Sequence, residues 1–222
     1  MTLVETIDKK PYHHGDLRDA ILIRAAEIIG EQGIEALSLR AIARDLGVSH
    51  GAPNRHFQSK AELLSALGTT AWFEARTATL SKADELDTDN PHIRLNAMGR
   101  GYLKWAMNHP ALFSVLLHPD VARYANDALR AAQQEFEQII HAVATETQTH
   151  GRYPDIDPHV LSLYTISVPY GIAALLRNPL KKGSSDQTDQ DDLIAELIEL
   201  VVPIKQFTAE LPGTDDANVL EL

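Results

Sequence analysis

The spacing of apolar residues constrains the fold of this chain more than any other feature of the sequence. Apolar side chains recur at intervals of three and four almost throughout, and no run of alternating β-branched residues between turn pairs occurs. Intervals of three and four place side chains on one face of an α-helix, whereas alternation is typical of a strand. The sequence therefore predicts an all-α fold.

Composition excludes several classes of protein. The 222 residues allow one large or two small domains, and the absence of cysteine excludes disulfides, thiolate metal sites and a cysteine nucleophile. The net charge is −11, but residues 1–76 carry 9 basic and 10 acidic side chains, against 11 and 21 in the remainder. Residues 9–60 alone sum to +2, so the first part of the chain is compatible with a nucleic-acid partner despite the acidic total.

Neither the N-terminus nor the most apolar segment indicates a membrane or secreted protein. Residues 1–11 lack the apolar run of a signal peptide. The longest apolar stretch, residues 160–176, has 12 hydrophobic residues of 17, which falls short of a membrane span and is typical of a core or interface helix. We expect a cytoplasmic protein with no membrane partner.

Four helices are predicted in the first third of the chain, each from local capping signals. The caps and stops are Asp16 and Gly33 for the first helix, Ser38 and Gly47 for the second, Ser49 for a short third helix over residues 51–57, and the Ser59–Glu62 capping box for a longer fourth. Short helices joined by a turn that contains glycine predict a helix-turn-helix.

Longer helices are predicted after residue 75. One opens at Asn90-Pro91 and ends at Asn108, a short one covers 111–117, a single amphipathic helix runs from Val121 to about Thr149, and Asp157-Pro158 opens the apolar helix. Residues 180–192 are predicted to be a polar mobile loop, with a last helix starting at Thr188.

Residues 33–64 carry a specific resemblance to a known family. The segments Ser38-Leu39-Arg40-Ala41-Ile42-Ala43, Leu46-Gly47-Val48-Ser49 and His56-Phe57-Gln58-Ser59-Lys60 resemble the TetR family of transcriptional regulators. The resemblance implies four parts: a disordered arm (1–11), a DNA-binding domain (12–75), an effector-binding and dimerisation domain (76–207) and a disordered acidic tail (208–222). It further implies a homodimer paired through the last two helices, a palindromic operator in double-stranded DNA, an unidentified small-molecule effector and no cofactor.

Candidate DNA contacts follow from the helix-turn-helix and from the resemblance. The start of the second helix of such a motif meets base edges, where asparagine pairs with adenine and arginine with guanine. The resemblance implies that Arg40, His50, Gly51 and Asn54 contact bases. It implies that Ser38, Asn54, His56 and Lys60 contact phosphates. Arg55 is a candidate for a base contact from the helical pattern alone, because it is expected to point outward. The family usually carries tyrosine where this chain has Asn54, so its operator preference is expected to differ.

Candidate effector contacts are aromatic and methionine side chains of the later helices, which suit an apolar pocket as well as they suit a core. They are Met98, Tyr102, Trp105, Phe113, Phe136, Tyr164 and Tyr170. We expect a regulator, with repression favoured over activation, that such a ligand releases from DNA.

Two alternatives remain open at the level of sequence. One is a helical ligand-binding or scaffold protein with a non-functional DNA reader, which Asn54, Pro53 and the acidic total favour. The other is an all-α enzyme using His109, His118 or His159, although no hydrolase, nucleotide or dinucleotide motif is present. A metal site at His13-His14 is not expected, because adjacent residues cannot close a rigid coordination shell. The interpretation we favour is therefore a regulator, not an enzyme.

Overall fold

The computed structural model describes residues 17–86, 88–176 and 187–203, and within these ranges every regular element is helical. The α-helices are α1 (Leu17–Gln32), α2 (Leu39–Asp45), α3 (Lys60–Asp84), α4 (Pro91–Asn108), α5 (Pro110–Leu117), α6 (Pro119–Arg123), α7 (Asp127–Thr149), α8 (Pro158–Leu176) and α9 (Gln187–Val201). Short 3₁₀ helices cover Ile34–Ala36 and Pro53–Arg55. The predicted all-α class is confirmed.

The first compact unit combines residues up to Ala75 with Asn108–Phe136. Its core contains the inner faces of α1 and α2 together with Phe57 and Phe113. Both phenylalanine rings are at most 1% exposed. Residues 108–136, which the resemblance assigns to the second domain, thus group with the helices that it assigns to the first.

The second compact unit combines Arg76–Met107 with the chain from Glu137 onward. Its core includes Met98, Leu103, Trp105, Leu161 and Ile198. Two glycines of α4 permit close packing here: a Cβ at Gly101 would lie 2.5 Å from the Ala78 carbonyl oxygen, and one at Gly99 would lie 2.9 Å from the Ile198 side chain. The packing of the second unit therefore requires glycine at these two positions, where α4 lies against α3 and α9 with no side chain of its own between them.

A buried arginine fixes the end of α9 in this unit. Arg152 is 1% exposed and donates to the carbonyl oxygen of Val201 at 3.0 Å and to the Thr165 hydroxyl at 3.4 Å. Asn96 donates to the next carbonyl, of Val202, at 2.9 Å. Burial lowers the pKa of Arg152, while the phenol of Tyr153 opposes that shift. A cation at the carbonyl end of a helix is favoured by the helix dipole.

Most predicted helix ends are confirmed because capping is local. Gly33 stops α1 with φ 83°, the Ser59 hydroxyl accepts from the Glu62 amide at 3.1 Å, and Asp157 accepts from the first amides of α8. The Glu62 carboxylate accepts from the Gln58 amide at 2.7 Å, which completes a variant of the capping box. Asp16 lies outside the described residues, as do the predicted arm and tail.

Three predictions of secondary structure are wrong. The helix predicted from Val121 to Thr149 is interrupted between Arg123 and Asp127, where the Ser65 hydroxyl donates to the Tyr124 carbonyl at 2.9 Å. The polar loop predicted over 180–192 is helical from Gln187 onward, and residues 177–186 lie outside the described ranges. The third helix is reduced to a 3₁₀ turn, described below.

Apolar side chains remain exposed along α8 and α9. Those more than one-third exposed are Val160, Leu163, Tyr164 and Leu175 on α8, and Leu193 and Leu200 on α9. By length and composition alone α8 could cross a membrane, and 28% of that window is buried. Spacings of three, four and eleven put the α8 residues on one side of the helix. This side is not covered within the described chain.

Candidate nucleic-acid interface

The turn after α2 fixes the position of the predicted third helix, residues 51–57, which we call the reading segment because it is the candidate for contacting DNA bases. The Val48 amide donates to the Ala43 carbonyl at 3.0 Å and the Gly47 amide to Arg44 at 3.1 Å, with Gly47 at φ 67°. These two bonds form the Schellman arrangement, which requires a left-handed residue where glycine stands. Ile42, Ala43 and Phe57 are buried beneath it. The chain that leaves α2 is therefore held at a fixed angle to the segment that follows.

The reading segment is shorter than the sequence predicts. Residues 53–55 form one 3₁₀ turn in which Pro53 is buried, and the predicted cap at Ser49 is replaced by a backbone turn from the Ala52 amide to the Ser49 carbonyl at 2.9 Å. Proline lacks an amide hydrogen and fits only the first turn of a helix, so the helical segment begins at Pro53 instead of after Ser49. The Phe57 amide then bonds the Pro53 carbonyl at 2.9 Å.

Seven of the eight predicted DNA-contacting residues are exposed: Ser38, Arg40, His50, Gly51, Asn54, Arg55 and His56. Among the described residues, none of these seven has a side-chain hydrogen bond or ion pair with another residue. Their donors are thus open to an external partner, and the structure brings three of them, Asn54, Arg55 and His56, onto consecutive positions of one turn.

Lys60, the eighth predicted contact, is engaged within the first unit. Its ammonium donates to the Glu35 carbonyl oxygen at 3.3 Å and lies 4.0 Å from the Glu35 carboxylate. His118 approaches the same carboxylate at 3.3 Å through Nε2, while its Nδ1 accepts from the Asp120 amide at 3.2 Å. Because Nδ1 accepts, Nε2 bears the proton and donates to Glu35. Sequence reasoning missed Glu35, since no local pattern marks a residue that Lys60 reaches from 25 positions away.

An ion pair ties α1 to α2 behind the reading segment. Arg24 contacts Glu27 at 2.8 Å and Asp45 at 3.0 Å, and these hydrogen bonds raise the pKa of Arg24. Arg18 lies over the Phe57 ring, 5.4 Å from its centroid. The position of α2 is therefore coupled to α1 by charge as well as by apolar packing.

The seven predicted effector contacts are divided between the two units, two in the first and five in the second. Phe113 and Phe136 belong to the first unit, where Phe136 packs 5.2 Å from Trp72. Tyr102 and Trp105 are buried in the second unit with ring centroids 6.1 Å apart, and Met98 is 1% exposed beside them in α4. Burial raises the pKa of both Tyr102 and Tyr170. Tyr164 is exposed and stacks edge-on against Tyr153 at 6.4 Å.

The three histidines considered for catalysis lie apart in the sequence, and His109 is the N-cap residue of α5. His118 caps α6 and His159 is exposed in the first turn of α8. No group of three metal-ligating side chains occurs among the described residues. No geometry here favours the enzyme alternative.

Two family models match the chain. The model for bacterial regulatory proteins of the tetR family matches residues 21–67, and the model for the tetracyclin repressor-like C-terminal domain matches residues 95–201. Together they match more than two thirds of the sequence. The first covers the described reading segment with α2, and the second covers most of the second unit.

Individual proteins are similar to this chain as well. The HTH-type transcriptional regulator Rv1816 of Mycobacterium tuberculosis is 29% identical over 141 residues, which are 59% of this chain and 60% of that protein. A protein of unknown function from Rhodococcus sp. RHA1 is 27% identical, with a TM-score of 0.69 over 92% of this chain and all of that one. AibR in complex with isovaleryl coenzyme A and operator DNA has a TM-score of 0.67 at 20% identity, over 84% of this chain and 98% of that one.

Proposed function

Because the chain belongs to the TetR family of bacterial regulatory proteins, we propose that it is a DNA-binding transcriptional regulator that represses from a palindromic operator as a homodimer and is released by a small apolar ligand. The observation that carries the proposal is the row of exposed polar side chains on and before one turn, Arg40, His50, Asn54, Arg55 and His56, above a buried base that includes Phe57.

We assign the contacts with DNA bases to Asn54, Arg55, Arg40, His50 and Gly51. An asparagine amide matches the two hydrogen-bonding atoms of adenine, and a guanidinium matches those of guanine. Gly51 has no other atom within 4 Å of where a Cβ would stand, so the backbone here can approach a base edge closely.

Phosphate contacts fall to Ser38, His56 and Lys60. Lys60 is the first residue of α3, where free amides and the helix dipole favour an anion. A phosphate must displace the Glu35 carboxylate from the ammonium of Lys60 to bind there.

Dimerisation is supported by the exposed apolar side of α8 and by Leu200, which is 78% exposed on α9. A second copy of the chain offers the same apolar face, so the two faces can bury each other without a different protein as partner. One reading segment covers few base pairs, whereas two related by a two-fold axis read half-sites about 34–36 Å apart. A stable dimer needs about 800 Å² from each partner.

Ligand release is supported by the fold alone. AibR has the same fold and is described with both a coenzyme A thioester and operator DNA, so one such chain accommodates an acyl ligand and DNA. A ligand that prefers a different spacing of the reading segments lowers DNA affinity by about 1–3 kcal/mol, or 5- to 150-fold.

The test is selection of double-stranded sites from a random library by the full chain, followed by fluorescence anisotropy over a salt series. For about six phosphate contacts, log affinity falls against log salt with a slope near −5, and Lys60→Ala in both protomers reduces that slope by about 2. Arg55→Ala is expected to relax selectivity at one base pair by about 1–3 kcal/mol.

Lys104→Ala is the matched control, because Lys104 lies in the second unit and pairs with Asp191 at 2.8 Å. It should leave the slope unchanged. Recovery of no common sequence, with sequence-independent affinity in its place, contradicts the regulator and favours the alternative of a ligand-binding or scaffold protein whose short 3₁₀ turn no longer reads DNA.

A further inference from the structure

A pocket of about 240 Å³ lies within the first unit. Three segments form its wall: α1, the second and third turns of α3, and the junction of α4 with α5. The lining residues are Leu22, Ile23, Ala26, Glu27, Gly30, Leu67, Thr70 and residues 108–112. None of the eight candidate DNA contacts and none of the seven candidate effector contacts is among them.

Small residues create the space. Ala26 and Gly30 on α1 face Ala111 on α5, and a Cβ at Gly30 would lie an ordinary 3.7 Å from the Ala111 Cβ. A larger side chain at any of these positions would fill the pocket. Leu22, Leu67 and Leu112 supply the apolar floor and are at most 4% exposed.

The volume selects the size of a ligand. A closed apolar cavity of about 150 Å³ is known to bind benzene, and sites for drug-sized molecules begin at about 300 Å³. The 240 Å³ found here lies between these values. It suits one substituted ring or a branched aliphatic chain of about ten non-hydrogen atoms.

The lining charges select against anions. No lysine or arginine lines the pocket, and its one carboxylate, Glu27, is held at 2.8 Å by Arg24. Thr70, Asn108 and His109 contribute a hydroxyl, an amide and an imidazole to the lining residues. An ionised ligand would lose hydration without gaining a countercharge, whereas a single neutral hydroxyl can be matched.

We propose that this pocket is a second ligand site that binds small uncharged compounds with one ring or branched chain and at most one hydroxyl. The ligand wedges between α1 and α5, and the Arg24–Asp45 ion pair passes any movement of α1 to α2, which precedes the reading segment. This effect on DNA rests on the proposed function, while ligand binding itself does not.

The test of the site is calorimetric titration of the full chain with 4-propylphenol in the absence of DNA, with 4-propylbenzoate as the charged analogue. For the phenol we expect a Kd on the order of 0.1–1 mM, as its size and burial imply, and binding of the benzoate at least tenfold weaker. No heat of binding for the phenol at 10-fold above that range, or equal affinity for both compounds, overturns the proposal.

Pocket-filling variants locate the binding. Ala26→Leu and Ala111→Leu each add three carbons at the wall and should weaken the phenol at least tenfold, and thermal unfolding shows which variants remain folded. Ala131→Leu, exposed on α7 and outside the lining, is the matched control and should bind as the native chain does. Unchanged affinity in a folded filled variant overturns the assignment.

The effect on DNA is measured separately, as the affinity for the selected operator with the phenol at saturation. A loss of fivefold or more, absent in Ala26→Leu, supports the coupling. Equal DNA affinity with the phenol bound overturns the coupling, whereas failure to find any operator sequence contradicts the proposed function and leaves the calorimetric result intact.

Discussion

Replacing Glu35 with glutamine should tighten operator binding, because the carboxylate competes with phosphate for Lys60. Its oxygen lies 4.0 Å from the Lys60 ammonium, and Glu35 is 86% exposed. An exposed pair of this kind is worth about 0.2–1 kcal/mol, well below the Coulomb energy of a buried one. For the proposed dimer, two copies then give about 0.4–2 kcal/mol, or about 2- to 30-fold in affinity.

Anisotropy with the selected operator at fixed salt measures this gain. Glu35→Gln keeps the backbone carbonyl that accepts from Lys60, and the glutamine oxygen can still accept from His118. Glu31→Gln is the matched control, because Glu31 is an exposed carboxylate on α1 that pairs with Arg24 at 3.8 Å and does not contact Lys60. It removes the same charge from the same unit.

A double-mutant cycle separates competition from the general field of the protein. In the Lys60→Ala background, the gain from Glu35→Gln should vanish, since the lysine for which it competes is gone. Equal tightening in both backgrounds, or equal tightening by Glu31→Gln, would refute the competition.

Three further variants test stability. Gly101→Ala should destabilise the chain by about 1–2 kcal/mol in thermal unfolding, since its Cβ would meet the Ala78 carbonyl oxygen at 2.5 Å and overpacking outweighs the gain in helix propensity; Gly30→Ala, whose Cβ has room, should instead match or exceed the native Tm. Burial lowers the pKa of His92 below its usual 6.5, so the unfolded chain binds more protons, and stability should fall as pH drops from 7 through 6.5 toward the folded pKa. His92→Gln should flatten that slope, and an unchanged slope in chemical denaturation would contradict the assignment to His92.

Helix ends and buried faces were predictable because their causes are local. The Ser59 and Asp157 caps act within three residues, and the inner positions of α2, Ile42 and Ala43, follow from helical periodicity. The candidate residues of the reading segment came from the helix-turn-helix pattern and from the family resemblance, whereas the local cap predicted at Ser49 was wrong.

The remaining features depend largely on contacts between segments distant in the chain. The apolar stripe continues in helical register across Tyr124, which hides the break in the helix. At the break Ser65 on α3 donates to the Tyr124 carbonyl, and Asn126 caps α7 by accepting from the Leu129 amide at 2.9 Å. The pocket was missed for a related reason. Ala26 and Ala111 read as ordinary helix formers, and only their meeting across two helices leaves space between them.

The hydrogen bonds from Arg152 and Asn96 to the end of α9 affect the order in which the chain folds during synthesis. All elements of the first unit have been translated by Phe136. The acceptors of Arg152 and Asn96, at Val201 and Val202, are translated some fifty and a hundred residues after their donors. A nascent chain can therefore form its first unit while the guanidinium of Arg152, which is buried in the folded protein, is still exposed to water. The second unit completes its buried hydrogen bonds only once its last helix has been made.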